Sequence, residues 1–210
     1  MNEKFFDLKK EKQDRMINAA LKVFANAGYA HASTDDIVRE AGVSKGLLFH
    51  YFTSKLGLYV FLYDYAMRYE QLEISTCVGK TETDYFVLRG QLLKAQVNCM
   101  KRYPYLSLFL DRADREENET AAKAVGRQII QRAEQSRMIS EHVELSRLKP
   151  EADQKMIGRM LSGAFRSILT DVLRLEEGAP EEYASTCEAY LSMMRQLCYT
   201  DEEQEREVEA

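Results

Sequence analysis

With 210 residues, 45% apolar and 30% charged, the chain has the composition of a globular protein with a real core, in one domain or two, and not of a disordered one. Its net charge of −5 is unevenly spread: residues 1–60 hold nine Lys and Arg against seven Asp and Glu, and residues 61–210 hold twenty against twenty-seven. The N-terminal quarter is therefore the basic part, and an acidic overall balance does not exclude a polyanionic partner there.

No run of residues approaches the roughly 18 to 20 apolar positions that cross a bilayer, and MNEKFFDLKKEKQDR lacks the apolar core of a signal peptide. A cytoplasmic protein with no membrane partner is expected. Cys77, Cys99, Cys187 and Cys198 form no paired spacing, so reduced, buried thiols are expected. His31, His50 and His142 make no metal-ligand spacing, and neither a phosphate loop nor a nucleophile elbow occurs. No metal, no cofactor and no catalytic residue is expected.

Few prolines and glycines amid long stretches of good helix formers predict an all-α fold. From Asp14, the spacing of Ile17, Ala20, Leu21 and Phe24 predicts a first helix, with Gly28 where a left-handed C-terminal residue is needed. Ser33-Thr34-Asp35-Asp36 has the form of a capping box, the Ser33 hydroxyl and Asp36 carboxylate placed to satisfy free N–H groups of a second helix that runs to about Ala41. Gly42 supplies a turn. Ser44 caps a third helix through about Phe52, whose Leu48 and Phe52 face inward beside Val43. After Thr53 a long fourth helix carries Leu58, Leu62, Tyr65, Tyr69 and Leu72. Further helices are predicted over about 84–103, ended by Pro104, then about 105–111, 119–145, 151–176 and 181–199, about nine in all. Residues 201–210 lack apolar periodicity and read as an acidic disordered tail.

The stretch AGVSKGLLFHYFTSK, residues 41–55, carries the chemical signal. Two helices joined by a tight glycine turn, the second entered through a serine cap, have the outline of a helix-turn-helix, which an ordinary helical hairpin shares. The exposed chemistry separates the two. With Val43, Leu48 and Phe52 facing a core, Lys45, Gly46, Leu47, Phe49, His50 and Tyr51 are left outside, more apolar and aromatic than a solvated face. Gly46 lowers helix propensity but permits close backbone approach, and Lys45 adds charge to an already positive helix N-terminus. Both suit a polyanion.

Residues from about 14 to 60 resemble the DNA-binding head of the TetR family of bacterial transcriptional regulators, through AALKVFANAGYAHAST, DDIVREAGVS and KGLLFHYFTSKLGL. The resemblance implies an N-terminal three-helix helix-turn-helix domain over 1–55 and a helical ligand-binding and dimerisation bundle over 56–200. It implies that Ser33 and Thr34 open the helix that braces the phosphate backbone and that Ser44 caps the reading helix. Lys45, Gly46 and Leu47 are then turned toward base edges or sugars, Phe49, His50 and Tyr51 lie along the groove and its phosphate walls, and Lys55 meets a backbone phosphate. Phe49 departs from the family, which usually has a tyrosine with a phosphate-binding hydroxyl there. The implied partners are a palindromic double-stranded DNA operator, a small-molecule effector and a second copy of the chain, the protein being a repressor that the effector releases.

Tyr85, Met100, Tyr103, Phe109 and Phe165, with Phe86, Leu93, Tyr105 and Ile130 beside them, are candidates to line an effector cavity, although core packing is the commoner role for each. Arg159 and Arg166, one heptad apart, are candidates for an anionic group, with surface ion pairing the commoner role. The apolar width of the last two helices predicts burial on two sides, with Phe165, Leu169, Val172, Tyr190, Leu191 and Met194 at a subunit interface. Two other readings stand beside the regulator: a helical enzyme whose catalytic residues meet only in space, and a partner-binding scaffold without DNA recognition.

Overall fold

The structure, a computed structural model, describes residues 3–175 and 179–200. The acidic tail expected at 201–210 lies outside the described residues. Among the described residues there are nine α-helices and no strand: α1 Lys10–His31, α2 Thr34–Ala41, α3 Lys45–Phe52, α4 Lys55–Cys77, α5 Tyr85–Arg102, α6 Leu106–Ala113, α7 Glu119–Ile139, α8 Gln154–Arg174 and α9 Pro180–Cys198. A short 3-10 turn, Glu3–Asp7, precedes α1 as an arm that the sequence pattern did not announce, and another lies at Leu145–Arg147. The all-α expectation holds. No helix among the described residues is long and apolar enough to cross a membrane.

Local chemistry accounts for the ends of the first helices. Gly28 interrupts α1 with φ +69°, a backbone conformation that favours glycine, and the Arg112 guanidinium lies against it, 2.9 Å from where a Cβ would stand. Ser33 accepts from the Asp35 N–H at 3.2 Å, while the Asp36 carboxylate turns to Arg39, so the hydroxyl half of the predicted capping box is formed and Asp36 is spent on an ion pair. Gly42 closes α2 in the left-handed conformation, and Ser44 caps α3 by accepting from the Leu47 N–H at 3.2 Å.

The chain folds into two compact units. Among the described residues the first comprises 3–72 and 99–136 and the second 73–98, 137–175 and 179–200; α4, α5 and α7 contribute to both. In the first unit Ile17, Leu21, Phe24, Ile37, Leu48 and Leu62 form a sealed core with aromatic rings of α4 and α6. The predicted α4 stripe is part of a wider buried surface: Tyr59, Phe61, Tyr63, Ala66 and Met67 are buried beside Leu58 and Leu62, whereas Leu72, expected inside, is 60% exposed near the end of its unit. Arg132 makes a two-pronged pair with Glu70 at 2.7 and 2.8 Å and also meets Asp114, which accepts from the Tyr63 hydroxyl at 2.6 Å.

In the second unit α8 and α9 pack along Ile157, Leu161, Phe165, Leu169, Tyr183 and Leu191. Asp84, the unit's buried carboxylate, accepts from the Val87 N–H, the Tyr199 hydroxyl, Arg147 and Arg195. Burial alone would raise its pKa; the Val87 and Tyr199 hydrogen bonds and Arg195 outweigh that and hold it below the usual carboxylate value. The helix expected to reach 145 stops at Ile139, because the following backbone is used elsewhere: the Glu144 N–H donates to the Thr83 carbonyl. The helix expected from 151 starts at Gln154, where Asp153 caps the Met156 N–H.

Candidate nucleic-acid interface

In α3, Leu48 and Phe52 are sealed into the first unit's core while Lys45, Gly46 and His50 are exposed and Leu47, Phe49 and Tyr51 are half-buried. The helix is eight residues long, so both faces are used within about two turns. A Cβ built on Gly46 would meet nothing within 4 Å, so the front of α3 is open to a close-approaching surface. Ser33 and Thr34, half-buried, lie where α2 begins, and exposed Ser44 lies where α3 begins. The two helices thus present their serine-capped N-terminal turns and a short reading-type helix from one corner.

Both lysines are occupied within the chain. Lys45 Nζ donates to the two Asp35 carboxylate oxygens at 2.8 and 3.0 Å, bracing the start of α3 against α2. Lys55 Nζ donates to the Ala30 carbonyl at 3.3 Å and sits 4.7 Å over the Tyr29 ring. Burial pushes its pKa down, with Glu116 pulling the other way. Glu116 also accepts from the Tyr29 N–H at 2.9 Å, and Arg112 donates to the Ala25 and Asn26 carbonyls, so the segment at the end of α6 holds the end of α1. Sequence reasoning missed Asp35 as the ion-pair partner of Lys45 and Glu116 as the carboxylate whose charge acts on Lys55. The proximity of Asp35 to Lys45 across the turn could have been found from the α2–α3 geometry; that of Glu116 could not.

The α3–α4 joint is also tighter than the sequence suggested. Thr53 takes φ +63°, uncommon for a β-branched residue. Ser54 then caps α4 by accepting from the Gly57 N–H at 3.0 Å, and a Cβ on Gly57 would lie 2.2 Å from the Phe52 carbonyl oxygen. Only glycine fits there without moving α3 against α4.

The effector candidates fall into different units. Met100, Tyr103 and Phe109 are buried in the first, where Phe109 packs on Phe24, Tyr59 and Tyr63 and the Tyr103 hydroxyl meets Asp14 and Tyr65, both at 2.7 Å. Ile130 is 62% exposed. Tyr85 and Phe165 are buried in the second. A half-open groove of about 390 Å³ in the first unit is lined instead by residues at the joint, including Tyr51, Phe52, Val60 and Phe61, with Asp64 and Arg68. Of the residues expected at a subunit interface, Phe165, Leu169, Val172 and Leu191 are buried within the chain itself, Met194 is half-buried and Tyr190 exposed. The exposed apolar side chains of α8 and α9 also include Met156, Met160, Met193 and Leu197.

A three-helix head with capped α2 and α3 defines a helix-turn-helix domain in an all-helical chain. Residues 16–60, which make up most of the head, match the family described as bacterial regulatory proteins, tetR family. The chain is 30% identical over 125 residues to YuxN of Bacillus subtilis, an uncharacterized HTH-type transcriptional regulator, covering 58% of this chain and 43% of that one. It is 44% identical over 50 residues to the HTH-type transcriptional activator FasR of Mycolicibacterium smegmatis, covering 24% and 23%. It thus spans less than half the length of these curated relatives. The crystal structure of a TetR family transcriptional regulator from Chloroflexus aurantiacus superposes with a TM-score of 0.60 at 20% identity, covering 94% of this chain and 98% of that one, which makes the fold common to both.

Proposed function

We propose that the chain is a ligand-responsive, DNA-binding transcriptional regulator: a cytoplasmic homodimer whose two heads read the half-sites of a palindromic operator and which a small-molecule effector releases. The observation that carries this reading is α3, capped at Ser44, anchored by Leu48 and Phe52, and open at Gly46, with Lys45 and His50 outward. Ser33, Thr34, Ser44, Lys45, Gly46, Leu47, Phe49, His50, Tyr51 and Lys55 form the operator surface, with Lys45 and Lys55 exchanging their internal partners for phosphates or base edges. Residues 1–55 act as the reading domain and 56–200 as the ligand-binding and dimerisation domain. The exposed apolar side chains of α8 and α9, with Tyr190 and Met194, supply the dimer face.

Residues 112–116 hold the end of α1, where Tyr29 and Ala30 in turn meet Lys55, which gives effector binding a mechanical path to the head. A coupling of about 1–3 kcal/mol lowers operator affinity roughly 5- to 150-fold. In the second unit, Arg89 has its Nε enclosed without a hydrogen-bond partner, near the Tyr85 and Tyr183 phenols. An enclosed, unsatisfied guanidinium N–H is costly, and an anionic group on the effector would satisfy it. The closely related head of FasR belongs to an activator, so the repressor assignment rests on the effector-release mechanism and not on the head. The related proteins are named regulators, which sets the helical enzyme aside.

Selection of duplexes from a random pool tests the reading. Enrichment of a near-palindrome with half-sites about one turn apart is expected, with log affinity falling by about 0.9 per neutralised phosphate against log salt. A dimer that enriches no sequence overturns it.

A further inference from the structure

Residues 3–9 lie ahead of the family match, which starts at residue 16, yet they pack onto the helix that carries the proposed reading surface. Phe5 is fully buried, with its ring 5.8 Å from Tyr51, 5.1 Å from Phe52 and 5.2 Å from Phe61. It therefore touches the last turn of α3 and the second turn of α4 at once, across the joint that Thr53 and Gly57 make tight. Phe6, partly exposed, makes its ring contacts on the α4 side, to Phe61 and Tyr65, besides Phe5 itself. The arm is pinned in turn by Gln13 of α1, a buried side chain whose amide donates to the Phe6 carbonyl at 3.0 Å and the Leu8 carbonyl at 2.7 Å. A buried, satisfied polar side chain fixes the geometry of what it joins, so Gln13 holds the arm in one place.

We infer that Phe5 is a positioning residue for DNA reading: the arm wedges one ring between the C-terminal turn of α3 and α4 and sets the angle at which α3 meets the groove. The inference rests on the DNA-binding reading. Leu48 and Phe52 anchor α3 inward and the Lys45–Asp35 pair braces its start, and the Phe5 contact to Tyr51 holds its last turn from the side. Misplacement by a fraction of an ångström costs base contacts, which need aligned hydrogen bonds, more than phosphate contacts, which tolerate it. Phe5 therefore governs specificity more than raw affinity.

The test is full-length Phe5→Ala, Phe5→Leu and Phe6→Ala protein, titrated with the selected operator and with an unrelated duplex at several salt concentrations. Phe5→Ala is expected to weaken operator binding about tenfold or more, the size of a single mismatched base pair, with unrelated-duplex affinity and salt slope unchanged. Phe5→Leu, which keeps much of the volume and the fold, is expected to lose less in the same pattern, and Phe6→Ala least. Equal losses on both duplexes, a reduced salt slope, or no change on either would overturn the inference. If the unsubstituted protein itself shows no operator preference, the DNA-binding reading has failed instead.

Discussion

Helix α3 and the helix pair α8 and α9 both carry more apolar side chains than one buried face can hold, and they dispose of the surplus in different company. Around α3 the surplus stands among a lysine, a histidine, a bare glycine and two serine caps, on a helix barely two turns long. On α8 and α9 it consists of Met156, Met160, Tyr190, Met193 and Leu197 along helices of 21 and 19 residues whose inward faces are already packed. Apolar surface mixed with cations and free N–H groups suits a polyanion that also offers sugar and base edges; long apolar surface with adaptable methionines suits another protein face. Position in the chain alone would not distinguish them.

The largest effect should come from charging the second surface. Met160→Glu with Leu197→Glu places two carboxylates per subunit in the proposed dimer face, where desolvation is uncompensated. Analytical ultracentrifugation should show the dimer constant weakened at least about a hundredfold, with helical circular dichroism unchanged because both side chains are exposed in the single chain. A double variant that stays dimeric at nanomolar concentration would show that the α8 and α9 surplus faces something else.

Two glycines sharpen the contrast within the head. Gly57→Ala drives a Cβ against the Phe52 carbonyl, so α3 and α4 must part; a loss of about 1–3 kcal/mol in urea unfolding and a matching loss of operator affinity are expected. Gly46→Ala meets nothing and removes a glycine from the first turn of α3, so the protein should gain up to about 0.5 kcal/mol while operator binding falls. If Gly46→Ala left operator affinity intact, close backbone approach at that position would be discarded.

How much of this could be read beforehand follows the range of the interactions. Ser33, Gly42 and Ser44 act on neighbours within a few residues, and α2 and α3 stood in the sequence with their ends nearly right, whereas α1 begins at Lys10, before the expected Asp14, and resumes beyond Gly28 to His31. Leu48 and Phe52 were legible because a helix places them on one face. Phe5 on Tyr51, Arg112 on the end of α1, and Arg195 on Asp84 join residues 46 to 111 positions apart, and no periodicity records such pairs. On α8 and α9 periodicity marked a broad apolar face but could not say which half the chain buries itself: Phe165, Leu169, Val172 and Leu191, expected between subunits, are buried within the single chain.

Lys55 gives the smallest effect and the finest discrimination between a residue that braces the fold and one that meets DNA. Burial lowers its pKa in the free protein, against the pull of Glu116, while its nitrogen rests on the Ala30 carbonyl and the Tyr29 ring. A phosphate contact favours the charged form, so the pKa rises on binding, and the complex holds more protons than the free partners between the two values. Operator affinity must then fall as pH rises through the free-state value, which lies below the ordinary lysine pKa of about 10.4, and level off above the bound one. In Lys55→Arg the charge persists across that window, so the portion of the alkaline decline due to Lys55 disappears, while Lys55→Ala loses it together with about 0.9 of the salt slope. Wild type and Lys55→Arg with superimposable pH profiles would leave Lys55 as a brace between α4 and the end of α1, and the phosphate contact would pass to the N-terminal turns of α2 and α3.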